Sequence, residues 1–194
     1  MIKIIKVVLL FVMAFVLNAC ITAKPNMEYS IPSKAMSPSS DKALLVFVRP
    51  QQLGFSANAS IYDGDKFVGI IPFDHKLGYL AEPGEHLFMV VSEAADFMKA
   101  NLEAGKTYYV EVTPRMGVWG ARFSLRPILP VTISTAEQKE WLGKGPFVQN
   151  TLEAYAYAKE NKTSDMEKKQ AYLVKWQSKS EFNKPSLGEK HAIR

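Results

Sequence analysis

The amino-acid sequence predicts a mainly β fold, an antiparallel sandwich of about seven to nine short strands followed by three short α-helices. Two patterns between residues 43 and 133 carry the strands: short apolar or alternating runs, and turn residues that punctuate them about every eight to twelve positions. A third pattern carries the helices. From residue 134 onward a Ser or Asn stands three places before a Glu three times over, which is how a capping box opens a helix.

The chain opens with Lys3 and Lys6 and an apolar run from Val7 to Leu17, closed by the small Ala19. That is the anatomy of a secretory signal over residues 1–19. The run is too short to span a bilayer, which takes roughly 20 apolar residues. Leu17-Asn18-Ala19-Cys20 resembles the bacterial lipobox. The resemblance implies that Cys20 becomes the lipidated first residue of the mature chain. Cys20 is the only cysteine, so it has no disulfide partner within the chain. Stable anchoring needs more than one acyl chain, a condition that the three chains of such lipoproteins meet. Ile21, where an inner-membrane lipoprotein commonly carries Asp, implies the outer membrane; the periplasmic face is the expected side, and Ile21 does not distinguish it from the cell exterior. No other cofactor is expected.

Residues 20–42, with Pro25, Pro32, Pro38 and scattered serines, read as a tether. The alternative is that Met27, Tyr29 and Ile31 form an edge strand. The sandwich then occupies 43–133. Ala43 to Arg49 is an apolar strand ended by Pro50. Asn58 to Ile71 reads as a hairpin about Asp63-Gly64-Asp65. Pro83-Gly84 turns into a strand from Glu85 to Ser92, and Ala104-Gly105-Lys106 into one from Thr107 to Thr113. Trp119 to Leu125 and Ile128 to Ile133 complete the set.

Phe47-Val48-Arg49-Pro50, Tyr62-Asp63-Gly64-Asp65-Lys66-Phe67-Val68-Gly69, Glu82-Pro83-Gly84-Glu85-His86 and Ala104-Gly105-Lys106-Thr107-Tyr108-Tyr109-Val110 together resemble the DUF2846 family. The likeness covers roughly residues 42–130. It implies a small bacterial envelope domain, commonly a lipoprotein, with a sandwich akin to transthyretin or carboxypeptidase-regulatory domains. The matching residues belong to turns and core, so the likeness carries over a fold and no catalytic site.

Residues 134–181 read as a helical extension. Ser134-Thr135-Ala136-Glu137 opens a helix to Leu142, stopped by Gly143. Asn150-Thr151-Leu152-Glu153 opens a second to about Glu160, and Ser164-Asp165-Met166-Glu167 a third to about Lys179. Narrow apolar stripes leave these helices to pack on the sandwich or on something else. Residues 182–194 are polar, with Pro185 and Gly188, and read as a frayed tail.

The formal charge of +5 falls to +3 once the leader is removed with Lys3 and Lys6. So small and scattered an excess does not point to nucleic acid. His75, His86 and His191 have no ligating residue at helical metal-site spacing; His86 reads as a strand histidine and the other two as loop and tail residues. Asp63 and Asp65 read as turn residues rather than an acid–base pair. No phosphate loop, nucleophile elbow or dinucleotide fingerprint is present. The chain therefore reads as a non-enzyme.

The remaining lead is aromatic. Trp119, bracketed by Gly117 and Gly120, and Tyr172 and Trp176 on the last helix are candidate partner contacts, although aromatics at such spacings more often pack inward. The leading expectation is a membrane-anchored lipoprotein acting as an interaction or envelope-assembly module with a protein partner. The alternatives are a binding protein for a small molecule, glycan or peptide, with a pocket between sandwich and helices, and a cell-wall hydrolase.

Overall fold

A computed structural model describes residues 27–133, 136–143 and 145–193. The leader and the lipobox residues Leu17, Ala19 and Cys20 lie outside the described residues.

The fold is mainly β, with eleven strands in two sheets among the described residues. They are β1 (Ser30–Pro32), β2 (Ala43–Val48), β3 (Ser60–Asp63), β4 (Lys66–Ile70), β5 (Lys76–Ala81), β6 (Gly84–Val91), β7 (Ala95–Leu102), β8 (Thr107–Met116), β9 (Ala121–Pro127), β10 (Phe147–Asn150) and β11 (Ser186–Leu187). One sheet runs β1-β10-β5-β2-β8-β9 and the other β11-β7-β6-β3-β4. Both are mixed, which corrects the antiparallel expectation: β2 pairs parallel with β8, β10 with β5 and β11 with β7. Each parallel pair joins segments remote in the chain, so no local turn signal announces it.

The inner faces share one core. Leu45 and Phe47 of β2, Val110 of β8 and Phe123 of β9 meet Ile61, Phe88, Val90 and Met98 of the opposite sheet. Phe47 and Phe88 pack edge to face, 5.8 Å between centroids. β2 is buried at all six positions because its other face is covered as well. Leu44, Val46 and Val48 lie under Ile128, Ile133, Leu142 and Phe147. A strand covered on both faces reads as an unbroken apolar run rather than an alternation.

Three helices follow, α1 (Pro130–Ile133), α2 (Ala136–Gly143) and α3 (Leu152–Gln177), but not the three expected. Ile128 to Ile133 is no strand; its second half is α1. The second and third expected helices are one. No Gly or Pro interrupts 161–164, and Asp165 is drawn inward: its carboxylate accepts the Tyr62 hydroxyl at 2.7 Å in a buried contact. The cap is Thr151, whose Oγ1 accepts the Ala154 N–H. Asn150 instead donates its side chain to the Val68 carbonyl.

Two segments expected to be loose are docked. Within the expected tether, Ser30–Pro32 pairs with β10 and Ser30 is buried, so the edge-strand alternative holds for Ile31, whereas Met27–Tyr29 form a 3-10 turn. Within the expected tail, Leu187 enters the core, His191 is buried and Ile193 bridges to Thr107. β5 and β7 were not expected as strands; β7 buries six of its eight residues and leaves little alternation to read.

Candidate interaction surface

β8 and β9 continue past the end of β2. Val48 pairs with Glu111, whereas the β8–β9 ladder runs on to Met116 opposite Ala121. The turn between them is Gly117-Val118-Trp119-Gly120. The Gly117 N–H donates to the Gly120 carbonyl at 2.9 Å, and a Cβ on Gly117 would lie 2.3 Å from both that oxygen and Glu93 Oε2. Only glycine fits there.

Glu93, in the β6–β7 turn, holds this tip. Its carboxylate accepts the backbone N–H groups of Val118 (3.0 Å), Trp119 (2.9 Å) and Gly120 (2.6 Å). It also accepts Nε and Nη2 of Arg122 at 2.9 and 2.6 Å. These donors, the Val118 N–H foremost, hold the Glu93 carboxyl at about 2. Ser92 adds a bond from Oγ to the Ala121 carbonyl.

The tip's backbone N–H groups are held within the fold, and the side chains of Met116, Val118 and Trp119 are turned out. Trp119 is 93% exposed, Met116 80% and Val118 71%. Beside them stands the uncharged loop 50–57, with Leu53 and Phe55 partly exposed. Gly54, at φ 69°, presses so closely on the hairpin that a Cβ there would meet Ala121 Cβ at 2.4 Å.

Arg49 fixes that loop. It is wholly buried without a carboxylate, its Nη1 donating to the carbonyls of Ala57 (3.1 Å) and Ile71 (2.9 Å) and its Nη2 to that of Gly54. The guanidinium lies over the Phe123 ring at 4.4 Å. Burial pushes it down to about 10.

The charges facing solvent around this pole are mostly positive. Asp96 is contacted by Arg115 at 3.2 Å and Lys179 at 3.7 Å, and also takes the Ser124 hydroxyl. The Asp96 side chain is 11% exposed, against 45% for Arg115 and 42% for Lys179. Arg126 is exposed on β9, opposite Glu111, whose carboxylate takes the Gln51 amide.

The other aromatic candidates do not join this surface. Trp176 is buried against Phe97, at 5.9 Å between centroids, and its ring is approached by Lys99 and Lys184. Tyr172 is half-buried in the same cluster. Both pack α3 against the outer face of the β6–β7 sheet; the burial of Trp176 corrects its reading as a partner contact. The glycines bracketing Trp119 set it apart in the sequence, and the covering sheet separates the other two from it in the structure.

A second constellation lies toward the other end of the sheets. Asp63 does not simply shape its turn: its carboxylate accepts the Tyr79 hydroxyl at 2.9 Å and faces His86 Nδ1 at 2.9 Å. His86 Nε2 faces the Glu82 carbonyl at 2.8 Å, and Phe88 stacks on the ring. Burial, with Asp63 adding to it, pushes the Tyr79 hydroxyl well above its ordinary value. Tyr79 and Lys66 also line an open groove of about 940 Å³ with Met36, Phe67, Asn150 and Tyr155. Asp63 and His86 meet across paired strands, a relation sequence spacing does not disclose. Asp65 pairs with Lys169 of α3.

Among the described residues no group of three His, Cys, Asp or Glu is placed to hold a metal, and no helix is long and apolar enough to cross a membrane. Comparison with protein-family models gives no match, and comparison with curated proteins gives none either.

Proposed function

We propose that the chain is a non-enzymatic, DUF2846-like lipoprotein, anchored through Cys20 at the periplasmic face of the bacterial outer membrane. In this reading it works as an interaction module that docks on a second envelope component. One observation carries it: an almost fully exposed Trp119 on a hairpin tip where Glu93 holds the backbone N–H groups of Val118, Trp119 and Gly120. Exposing a large aromatic ring on a fixed, glycine-bracketed turn brings nothing to the fold itself, and contiguous exposed apolar surface marks contact sites.

In-cell photo-crosslinking from a probe at position 119, with mass spectrometry of the adducts, tests this. A discrete adduct from 119, absent when the probe sits at the half-buried Tyr172, is the expected result. No adduct from 119 overturns the docking reading. Labelled palmitate incorporation that survives Cys20→Ser would overturn the anchor. A second reading, as a binding protein, draws support from the groove beside Lys66, Tyr79 and Asn150, whose two ends lie on the sandwich and on α3.

A further inference from the structure

We infer that the component met by the hairpin tip is the interfacial region of an anionic bilayer; this rests on the docking reading above and names its partner. Three features of the tip favour a lipid surface over a protein.

The first is polar accounting. A segment entering an apolar or interfacial medium must satisfy its own backbone, because water no longer does so. Here the N–H groups of Val118, Trp119 and Gly120 are taken by Glu93, and that of Gly117 by the Gly120 carbonyl. The charge of Glu93 is in turn met by Arg122. The tip thus enters with its backbone donors already paired.

The second is size and chemistry. A stable protein interface takes roughly 800 Å² per partner and about one hydrogen bond per 100–200 Å². Met116, Val118 and Trp119 form a narrow wedge, and the turn has no backbone donor left to offer. A wedge of this kind suits a medium that needs neither shape complementarity nor directional bonds, and an exposed indole suits the boundary between headgroups and acyl chains.

The third is charge. Arg115, Arg122 and Lys179 stand on the wedge's side of the molecule, while the Glu93 and Asp96 carboxylates that balance part of this charge are turned inward. Arg126 lies farther down β9, opposite Glu111, whose carboxylate offsets it. Anionic headgroups attract such a basic shoulder, at about fivefold in affinity for each well-placed cation.

The test uses the full chain and vesicles of phosphatidylglycerol and phosphatidylethanolamine carrying brominated acyl chains. Trp119 is isolated as the difference between the parent and Trp119→Phe. This local readout is insensitive to any binding through the N-terminus, and circular dichroism verifies the fold of each variant. A blue-shifted, bromine-quenched Trp119 signal is expected on anionic vesicles. Arg115→Gln should weaken it about fivefold, and 0.5 M salt should weaken it further. Val118→Asp, at a position open to solvent, should abolish it with the fold intact.

Absence of Trp119-dependent quenching on anionic vesicles overturns the inference. Equal quenching on phosphatidylcholine alone overturns its anionic part. A discrete protein adduct from position 119 without quenching overturns the bilayer assignment and leaves the docking reading standing. Loss of both signals overturns both.

Discussion

Replacing Arg49 by Met tests how the loop beneath the exposed pole is held. The buried guanidinium makes three hydrogen bonds to backbone carbonyls and meets no carboxylate. Bonds from a charged donor contribute about 1.5–3 kcal/mol each, and the ring contact with Phe123 about 1–2 kcal/mol more. Against this stands desolvation: the fall of the guanidinium from 12.5 to about 10 corresponds to about 3 kcal/mol. Met fills much of the same space without that cost, but leaves the Gly54, Ala57 and Ile71 carbonyls without a donor. Because the buried Nε has no acceptor, the lower ends of these ranges apply, and the balance favours Arg by about 3 kcal/mol. For a chain of this length that lowers Tm by about 6–12 °C. Urea denaturation gives the free energy, and hydrogen exchange across 50–57 locates the loss. Arg49→Lys should recover little, since one compact ammonium cannot span carbonyls at 54, 57 and 71. An Arg49→Met protein within about 0.5 kcal/mol of the parent, with unchanged loop exchange, would refute this account.

Tyr62→Phe removes the buried donor to Asp165 and should cost about 1–3 kcal/mol in urea denaturation, because the carboxylate stays behind with Lys168 at 3.7 Å, beyond hydrogen-bond distance. Glu93 has a folded pKa of about 2 against an ordinary 4.5, so its hold on the hairpin is complete above pH 4.5 and lost as pH falls toward 2. The amide signals of residues 118–120 should therefore titrate near pH 2; titration near 4.5 would show that the carboxylate does not hold the turn. Trp176→Ala should cost about 3–5 kcal/mol by uncovering Phe97 and Met89, whereas a surface docking role would leave urea denaturation unchanged.

The sequence disclosed the mainly β character because β3, β4, β6 and β8 carry local signals: alternation and Gly-centred turns. It failed where tertiary contacts supply what the local pattern lacks. β10 and β11 are too short to alternate and exist because remote edges, β5 and β7, accept them in parallel. Ser164-Asp165-Met166-Glu167 has the composition of a capping box, yet continuous helical coverage of the β6–β7 sheet and the Tyr62–Asp165 bond outweigh a cap worth about 1 kcal/mol. The site was half legible. Gly117-Val118-Trp119-Gly120 stood out by composition, but Glu93, 26 residues before Trp119, gave no sign of being its acceptor. Arg49 stood in the family-like run Phe47-Val48-Arg49-Pro50, and nothing there distinguished a buried, acid-free guanidinium from a surface one.

Strand direction gives the molecule two unlike poles. Pro32, Val148, Leu77, Phe47 and Val110 form one continuous row of paired residues across the larger sheet. From that row the chain reaches back to Ser30 on β1, while β8 runs the opposite way to Met116, a separation of about 25 Å at roughly 3.3 Å per residue. Ile193, pairing with Thr107 at the start of β8, returns to the pole of Ser30. Both ends of the described chain thus lie at one pole and the Trp119 wedge at the other. This follows from the parallel pairing of β2 with β8; an antiparallel pairing would have turned the β8–β9 tip toward Ser30. An anchor at Cys20 would draw the Ser30 pole toward its own membrane and aim the wedge away from it. The same polarity makes the tip's partner a second surface, unless the residues between Cys20 and Ser30 extend almost fully to let the domain fold back.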